Sequence, residues 1–181
     1  LHWLRTMYAS LPTAYINSAG NAADRQICRA IETRYLIKLM MNDLIDILHE
    51  GKHSLVVANG EVCTFDGRGV SDLFQLLKDD AGFLNDSSVA DKVVGKAAAA
   101  LMALAKIKEV YADVISTPAL DLLKSNNIST TYGKVVPHIV NRAGTGFCPL
   151  ETRCMACNTL EECFVQISAF IEEMRTNTRE K

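Results

Sequence analysis

The segment from Ser88 to Ala103, SVADKVVGKAAAALMA, constrains the fold more than any other part of this chain. Gly95, Ala99 and Ala103 recur every four residues, and this spacing gives a helix a smooth stripe that can pack closely on a sheet. Ser88 and Asp91 have the spacing of a capping box, with Asp in place of the usual Glu. The segment therefore predicts a buried central helix that begins at Ser88.

A β-hairpin is predicted ahead of this helix. Ser54–Ala58 and Glu61–Phe65 are short apolar runs joined by Asn59-Gly60. Asn and Gly both tolerate positive φ, so this pair between two such runs is a strong hairpin signal.

The remaining elements follow from periodicity and from capping, proline and glycine signals. We predict helices over 42–50, 70–78, 117–124 and 159–174, strands over 109–115 and 128–132, a polar loop over 79–88, and mostly loop over 133–151. A hairpin followed by β–α–β crossovers indicates an α/β fold, a three-layer α/β/α sandwich with a mixed sheet.

The chain divides into three parts. Residues 1–40 form a helical N-terminal extension, with a helix predicted over 24–41, that packs on the main domain, on a second copy or on a partner. Residues 41–174 form the main domain, and residues 175–181 form a C-terminal tail.

Composition excludes several classes of function. The net charge of −2 gives no basic surface for nucleic acid. No apolar run reaches the roughly 18 residues that a membrane helix needs. Six cysteines stand in a chain without a secretory signal, and this favours a cytoplasmic protein with reduced thiols.

Five short motifs mark the main domain. They are Leu55-Val-Val, Asp91-Lys-x-Val-Gly-Lys-Ala-Ala98, Glu109-Val-Tyr-Ala-x-Val, Pro118-Ala-Leu-x-x-Leu and Asn141-Arg-x-Gly-Thr-x-x-Cys-Pro149. With this element order, the chain resembles an uncharacterised bacterial family of domains of unknown function that has a cytidine-deaminase-like fold. The last motif is the most distinctive of the five.

The resemblance implies where zinc chemistry would lie in a deaminase. A His or Cys ligand and a catalytic Glu would fall near Val94 and Lys96, and two Cys ligands would fall at Ala119 and Leu122. The predicted central helix contains no His or Glu, and the two Cys positions are apolar. We therefore expect no hydrolytic deamination by the zinc route.

Asp91 and Lys96 are candidate ligand-binding residues at the mouth of the corresponding cleft. The structural alternative for Asp91 is a helix N-cap. Lys96 is as readily interpreted as a solvated or ion-paired lysine.

The segment 138–151 is the best functional candidate, because long loops in compact domains are often functional. Its candidate ligand-binding residues are His138, Asn141, Arg142, Thr145, Cys148 and Glu151. Arg142 could bind a phosphate or carboxylate through two hydrogen bonds, or pair with an acid such as Asp113 in a purely structural loop. A nucleophilic pair of Cys148 and His138 is a weaker alternative.

Four cysteines follow one another closely as Cys148-x5-Cys154-x2-Cys157-x5-Cys163. Zinc or an iron–sulfur cluster is a weak prediction here, with Cys154 and Cys157 as the metal candidates. Because Cys163 lies on the apolar face of the last predicted helix, we favour no cofactor and core or redox-labile thiols.

The leading hypothesis is a domain without deaminase activity that binds a small nucleotide-like molecule in this cleft. One alternative is an enzyme of another class that uses Cys148, Lys96 or Asp91. The other is a structural module that forms a homo-oligomer.

Overall fold

The computed structural model of the chain describes residues 41–67, 69–141 and 143–179. The predicted N-terminal extension, residues 1–40, lies outside this part of the chain, and so does Arg142. The described elements, in chain order, are α1 (41–50), β1 (Leu55–Asn59), β2 (Glu61–Phe65), α2 (Ser71–Asp79), α3 (Ala81–Leu84), β3 (Ser88–Val94), α4 (Lys96–Leu104), β4 (Glu109–Ser116), α5 (Thr117–Ser125), β5 (Ser129–Val136), α6 (Pro149–Met155) and α7 (Leu160–Arg179).

The strands form one five-stranded mixed sheet in the order β2-β1-β3-β4-β5. β1 runs antiparallel to β2 and to β3, whereas β3, β4 and β5 are parallel. The helices α4 and α5 connect the parallel strands. The predicted α/β fold with a mixed sheet is therefore confirmed.

The prediction of a helix beginning at Ser88 is wrong for its first half. Ser88–Val94 is a strand at the centre of the sheet, and the helix begins at Lys96 with Gly95 as its N-cap. The valines of this segment suit a strand with neighbours on both sides. Asp91 accordingly lies in a strand and caps no helix, so the capping-box interpretation fails.

Both faces of the sheet carry packed apolar side chains, because successive residues of a strand point to opposite faces. Val57 and Val89 join the larger core, which includes the buried alanines of α4. Val56 and Ala90 join a second, smaller core with α1. α4 and α5 therefore cover one face, and α1 packs on the other.

The hairpin is confirmed, with Gly60 at φ +76° between β1 and β2. Thr159 caps α7 as predicted, since its hydroxyl accepts a hydrogen bond from Glu162 N at 3.1 Å. Other boundaries move. The predicted polar loop contains α3, the predicted loop over 133–151 contains the end of β5 and the start of α6, and α7 continues five residues past Met174 to Arg179.

No helix in the described ranges is long and apolar enough to cross a bilayer.

Candidate functional site

The candidate site lies where the parallel strands β3 and β4 end and the helices α4 and α5 begin. Gly95 is the single residue between β3 and α4, and Ser116 is both the last residue of β4 and the N-cap of α5. Because Val94 and Ile115 are neighbours in the sheet, the two helices start side by side. Each helix N-terminus carries partial positive charge and free N–H groups.

The carboxylate of Glu151 occupies this junction. Only 3% of the residue is exposed. Its Oε1 accepts hydrogen bonds from Lys96 N at 3.3 Å and from the Ser116 hydroxyl, and its Oε2 accepts one from Ile139 N at 2.5 Å. A Cβ on Gly95 would lie 3.3 Å from Glu151 Oε1, so glycine permits this approach. Glu151 thereby joins α4, α5 and the segment before α6.

The side chain of Lys96 completes a reciprocal arrangement between α4 and α6. Its Nζ donates to Met155 O at 3.2 Å and to Cys157 O at 2.9 Å, at the C-terminal end of α6. A cation is favourable at that end of a helix. The first residue of α4 thus binds the end of α6, while Glu151 in the first turn of α6 binds the start of α4.

Asp91 lies in the middle of β3, on the face of the sheet that α4 and α5 cover. Its neighbours across β1 and β4 are Leu55 and Ala112, which belong to the larger core. The same row continues to Phe65 on β2 and to the exposed Tyr132 on β5. Asp91 is the one charged residue in this row of five.

The Asp91 carboxyl accepts few hydrogen bonds for a group that is partly removed from water. It is partly buried, and within the described ranges one donor reaches it, Val93 N at 2.9 Å. Burial is the main cause that raises the pKa of Asp91 from 3.8 to about 7, and the charge of Asp113 adds to it, while the Val93 bond opposes it. Near neutral pH this carboxyl can therefore both donate and accept a hydrogen bond.

The segment between β5 and α6 is a tight loop. An isolated bridge pairs Val140 with Phe147. Asn141 Oδ1 accepts from Thr145 N at 3.1 Å, and Asn141 Nδ2 donates to the Thr145 hydroxyl at 3.3 Å. These two predicted ligand-binding residues therefore bind each other.

The other two described residues predicted for this loop, His138 and Cys148, have separate partners. The His138 ring packs edge-on against Phe147, with 3.9 Å between the ring centroids. Cys148 is the half-buried N-cap of α6, and its N–H donates to Ile139 O at 2.8 Å. Among the residues that the structure describes, no hydrogen bond joins His138 to Cys148.

Asp113, the alternative partner for Arg142, is hydrogen-bonded to His49 at 2.8 Å. Arg142 itself is outside the described residues. The structure therefore brings Lys96, Ile139, Cys148 and Glu151 together, places Asp91 on the nearby sheet face, and leaves Asn141 and Thr145 in the loop.

Comparisons with known proteins bear on the whole of this region. The chain matches the model of the family TM1506, described as Domain of unknown function (DUF1893), over residues 43–171. The chain belongs to the DUF1893 family. A solved structure of a DUF1893 family protein (TM1506) from Thermotoga maritima is 27% identical, with a TM-score of 0.68, and the match covers 73% of this chain and 90% of that one. The curated proteins contain no match.

The cysteines of this DUF1893 domain pack together. Cys154 and Cys163 are buried in the larger core, and the half-buried Cys157 packs against the same core. Burial, the largest cause, raises the pKa of the Cys154 thiol to about 12. Within the described residues no group of three or more potential ligands has the arrangement of a metal site. The prediction of zinc or an iron–sulfur cluster stays untested.

A cleft of about 350 Å³ lies at the opposite, amino end of the parallel strands, next to Ile107 and Ile128. None of the predicted ligand-binding residues lines it.

Sequence reasoning missed the partners of Glu151. Ser116 precedes Thr117-Pro118, and a serine just before a proline at a helix start is a recognisable N-cap signal. The hydrogen bond between His49 and Asp113 has no such signal, because the two residues are far apart in the chain.

Proposed function

We propose that this DUF1893 domain has the cytidine-deaminase-like fold without zinc-dependent deaminase chemistry, and that it binds a small nucleotide-like molecule through Asp91. The fold part of this proposal is supported by the order of the elements from the hairpin onward. Two β–α–β units follow the hairpin, and their helices start side by side at the carboxyl ends of the parallel strands.

The residues at the starts of α4 and α5 do not fit a zinc ion. The positions that correspond to ligands are Val94, Ala119 and Leu122, whose side chains carry no donor atom. Lys96, at the position of the catalytic Glu, is a cation whose Nζ already donates to two carbonyl groups. The Glu151 carboxylate accepts from the start of both helices and fills the space between them. We therefore derive no step through a metal.

Asp91 is the observation on which the binding proposal rests. A partly buried carboxyl that is near its pKa can donate to an unprotonated ring nitrogen and accept from an adjacent amino group. Nucleobases such as cytosine and adenine present that pair of groups on one edge.

The test is a thermal-shift screen of the full chain with the four ribonucleosides and their 5′-monophosphates, followed by calorimetry on whichever compound shifts the melting temperature most. We expect saturable binding of a base with an amino group. Asp91→Ala should weaken binding by about ten-fold or more, since both the donor and the acceptor of this side chain are lost.

Asp121→Ala is the matched control, because Asp121 is an exposed aspartate on α5. It should bind as the wild type does. No saturable binding by any compound at millimolar concentration, or equal affinity of Asp91→Ala and wild type, would overturn the proposal.

A further inference from the structure

The cleft at the amino end of the parallel strands has the size of a small-molecule site. It lies between the C-terminal ends of α4 and α5 and the first turn of α7, and its volume is about 350 Å³. Small-molecule sites in proteins range from about 300 to about 1,000 Å³. The cleft therefore suits a ligand at the small end of this range.

The wall of the cleft is apolar where it meets the larger core. Ile107 and Ile128, which precede β4 and β5, line the cleft and are buried members of that core. Ala103 and Leu160 extend the apolar wall. An apolar group placed here would leave water and contact side chains that are already packed.

Lys106 and Glu161 give the cleft one charge of each sign. Lys106 lies just after the end of α4, and Glu161 lies in the first turn of α7. Within the described ranges neither side chain has a hydrogen bond or an ion pair. Both charges are therefore available to a ligand.

Backbone hydrogen bonds hold these walls in place before a ligand binds. Lys106 N donates to Ala103 O at 3.1 Å, and Lys106 O accepts from Asp86 N at 3.0 Å. On the side of α5, Asn126 Nδ2 donates to Leu122 O at 2.8 Å. Lys106 also has φ +55°, which glycine adopts more easily, so its backbone does not explain the lysine. Binding would need little ordering of the main chain, and such ordering is a cost that lowers affinity.

We propose that this cleft binds a free α-amino acid with an apolar side chain. The ligand carboxylate pairs with Lys106, the ligand ammonium group pairs with Glu161, and the ligand side chain packs on Ile107 and Ile128. A phosphate is disfavoured because the Glu161 carboxylate would repel it. The inference does not depend on the proposed nucleotide-like ligand, because Asp91 does not line the cleft.

The experiment is calorimetry of the full chain with L-leucine, L-methionine and L-phenylalanine. The tightest ligand is then compared with its amine and its carboxylic acid, which are isoamylamine and isocaproate in the case of leucine. We expect saturable binding of at least one amino acid at millimolar concentration. The amine and the acid should each bind about five-fold or more weakly, since each lacks one ion pair.

Two variants then assign the charges. Lys106→Met keeps the apolar stem, and it should weaken the amino acid about five-fold while the affinity for the amine stays unchanged. Glu161→Gln should also weaken the amino acid, while the affinity for the carboxylic acid stays unchanged. Lys108→Met is the matched control and should bind as the wild type does, because Lys108 is exposed and does not line the cleft.

Three results would each contradict the proposal. They are no saturable binding of the three amino acids by the wild type, an amine or acid that binds as tightly as the amino acid, and an unchanged affinity for the amino acid in either variant. Lys106 and Glu161 are exposed, so both variants should fold. The comparison of the three ligands on the wild type decides even if one does not.

Discussion

Glu151, in the first turn of α6, and Asp91, in the middle of β3, are two carboxyl groups whose surroundings differ sharply. Glu151 is the more buried, yet it accepts hydrogen bonds from three donors at the junction of α4, α5 and the loop before α6. Asp91 is less buried, yet within the described ranges it accepts one. A fully satisfied buried group holds a structure together, whereas a poorly satisfied one is available to a ligand.

The comparison also shows why burial alone does not mark a site. Two helix N-termini stabilise the Glu151 charge, and the chain itself supplies the anion that such a place attracts. The central strand around Asp91 supplies neither a helix end nor, among the described residues, a cation. The charged form of Asp91 is therefore destabilised by desolvation, and this raises its pKa.

The largest effect is expected from Glu151→Ala. It would leave the Ser116 hydroxyl and the N–H groups of Lys96 and Ile139 without their acceptor, and we expect a loss of about 4 kcal/mol in the free energy of unfolding. Urea unfolding measures it. Glu161→Ala, on the exposed start of α7, is the control and should change stability by less than about 0.5 kcal/mol. A small loss for Glu151→Ala would mean that the two carboxyls do not differ as described.

Asp91→Asn should have the opposite sign. The folded pKa of Asp91 is raised from 3.8 to about 7, so the folded state holds the proton more tightly over that range. Stability from this group is therefore present below pH 3.8 and is lost as the pH rises through about 7.

Removing the charge should consequently stabilise the protein at about pH 8, by about 2 kcal/mol, and the gain should shrink toward about pH 4. Urea unfolding at several pH values checks this, with Asp121→Asn as a surface control. A gain that does not vary with pH would show that Asp91 is not the titrating group.

Ser116→Ala tests one of the Glu151 donors by itself. The hydroxyl donates to Glu151 and accepts from Ala119 N at 3.4 Å as the N-cap of α5. Its loss should cost about 1.5 kcal/mol, which is a capping contribution plus one hydrogen bond. Ser116→Thr keeps the hydroxyl and should recover part of this, as measured by thermal unfolding.

Lys96→Met should have the smallest effect of the series. The apolar stem is kept, and the two bonds to the end of α6 are lost, so we expect a cost of about 1 kcal/mol. Lys108→Met, at an exposed lysine, is the control. If Lys96→Met abolished nucleoside binding without affecting stability, Lys96 would belong with Asp91 as a binding residue.

The sequence allowed the locally encoded elements to be predicted. The hairpin follows from Asn59-Gly60, and the start of α7 follows from Thr159, because turns and caps depend on a few neighbouring residues. The β3 segment was misassigned, since Ser88 and Asp91 imitate a helix cap and the alanines after Lys96 extend the helical pattern backward. This valine-rich segment forms a strand because it pairs with β1 on one side and with β4 on the other.

The candidate site was predicted less well than the fold. Asp91, Lys96 and Glu151 were all chosen from the sequence, but their roles could not be separated there. Glu151 meets Ser116 across 35 positions of the chain and Lys96 across 55. Contacts of that range depend on the finished packing of α4, α5 and α6, and no local pattern reports them.

The most direct test of the contrast between the two carboxyls is a carbon-13 NMR titration of the side-chain carboxyl groups, with the Asp91 signal assigned by its absence in Asp91→Asn. The account predicts a midpoint of about 7 for that signal. A midpoint near the ordinary aspartate value of about 4 would contradict it, because Asp91 would then be as well compensated as a surface carboxylate.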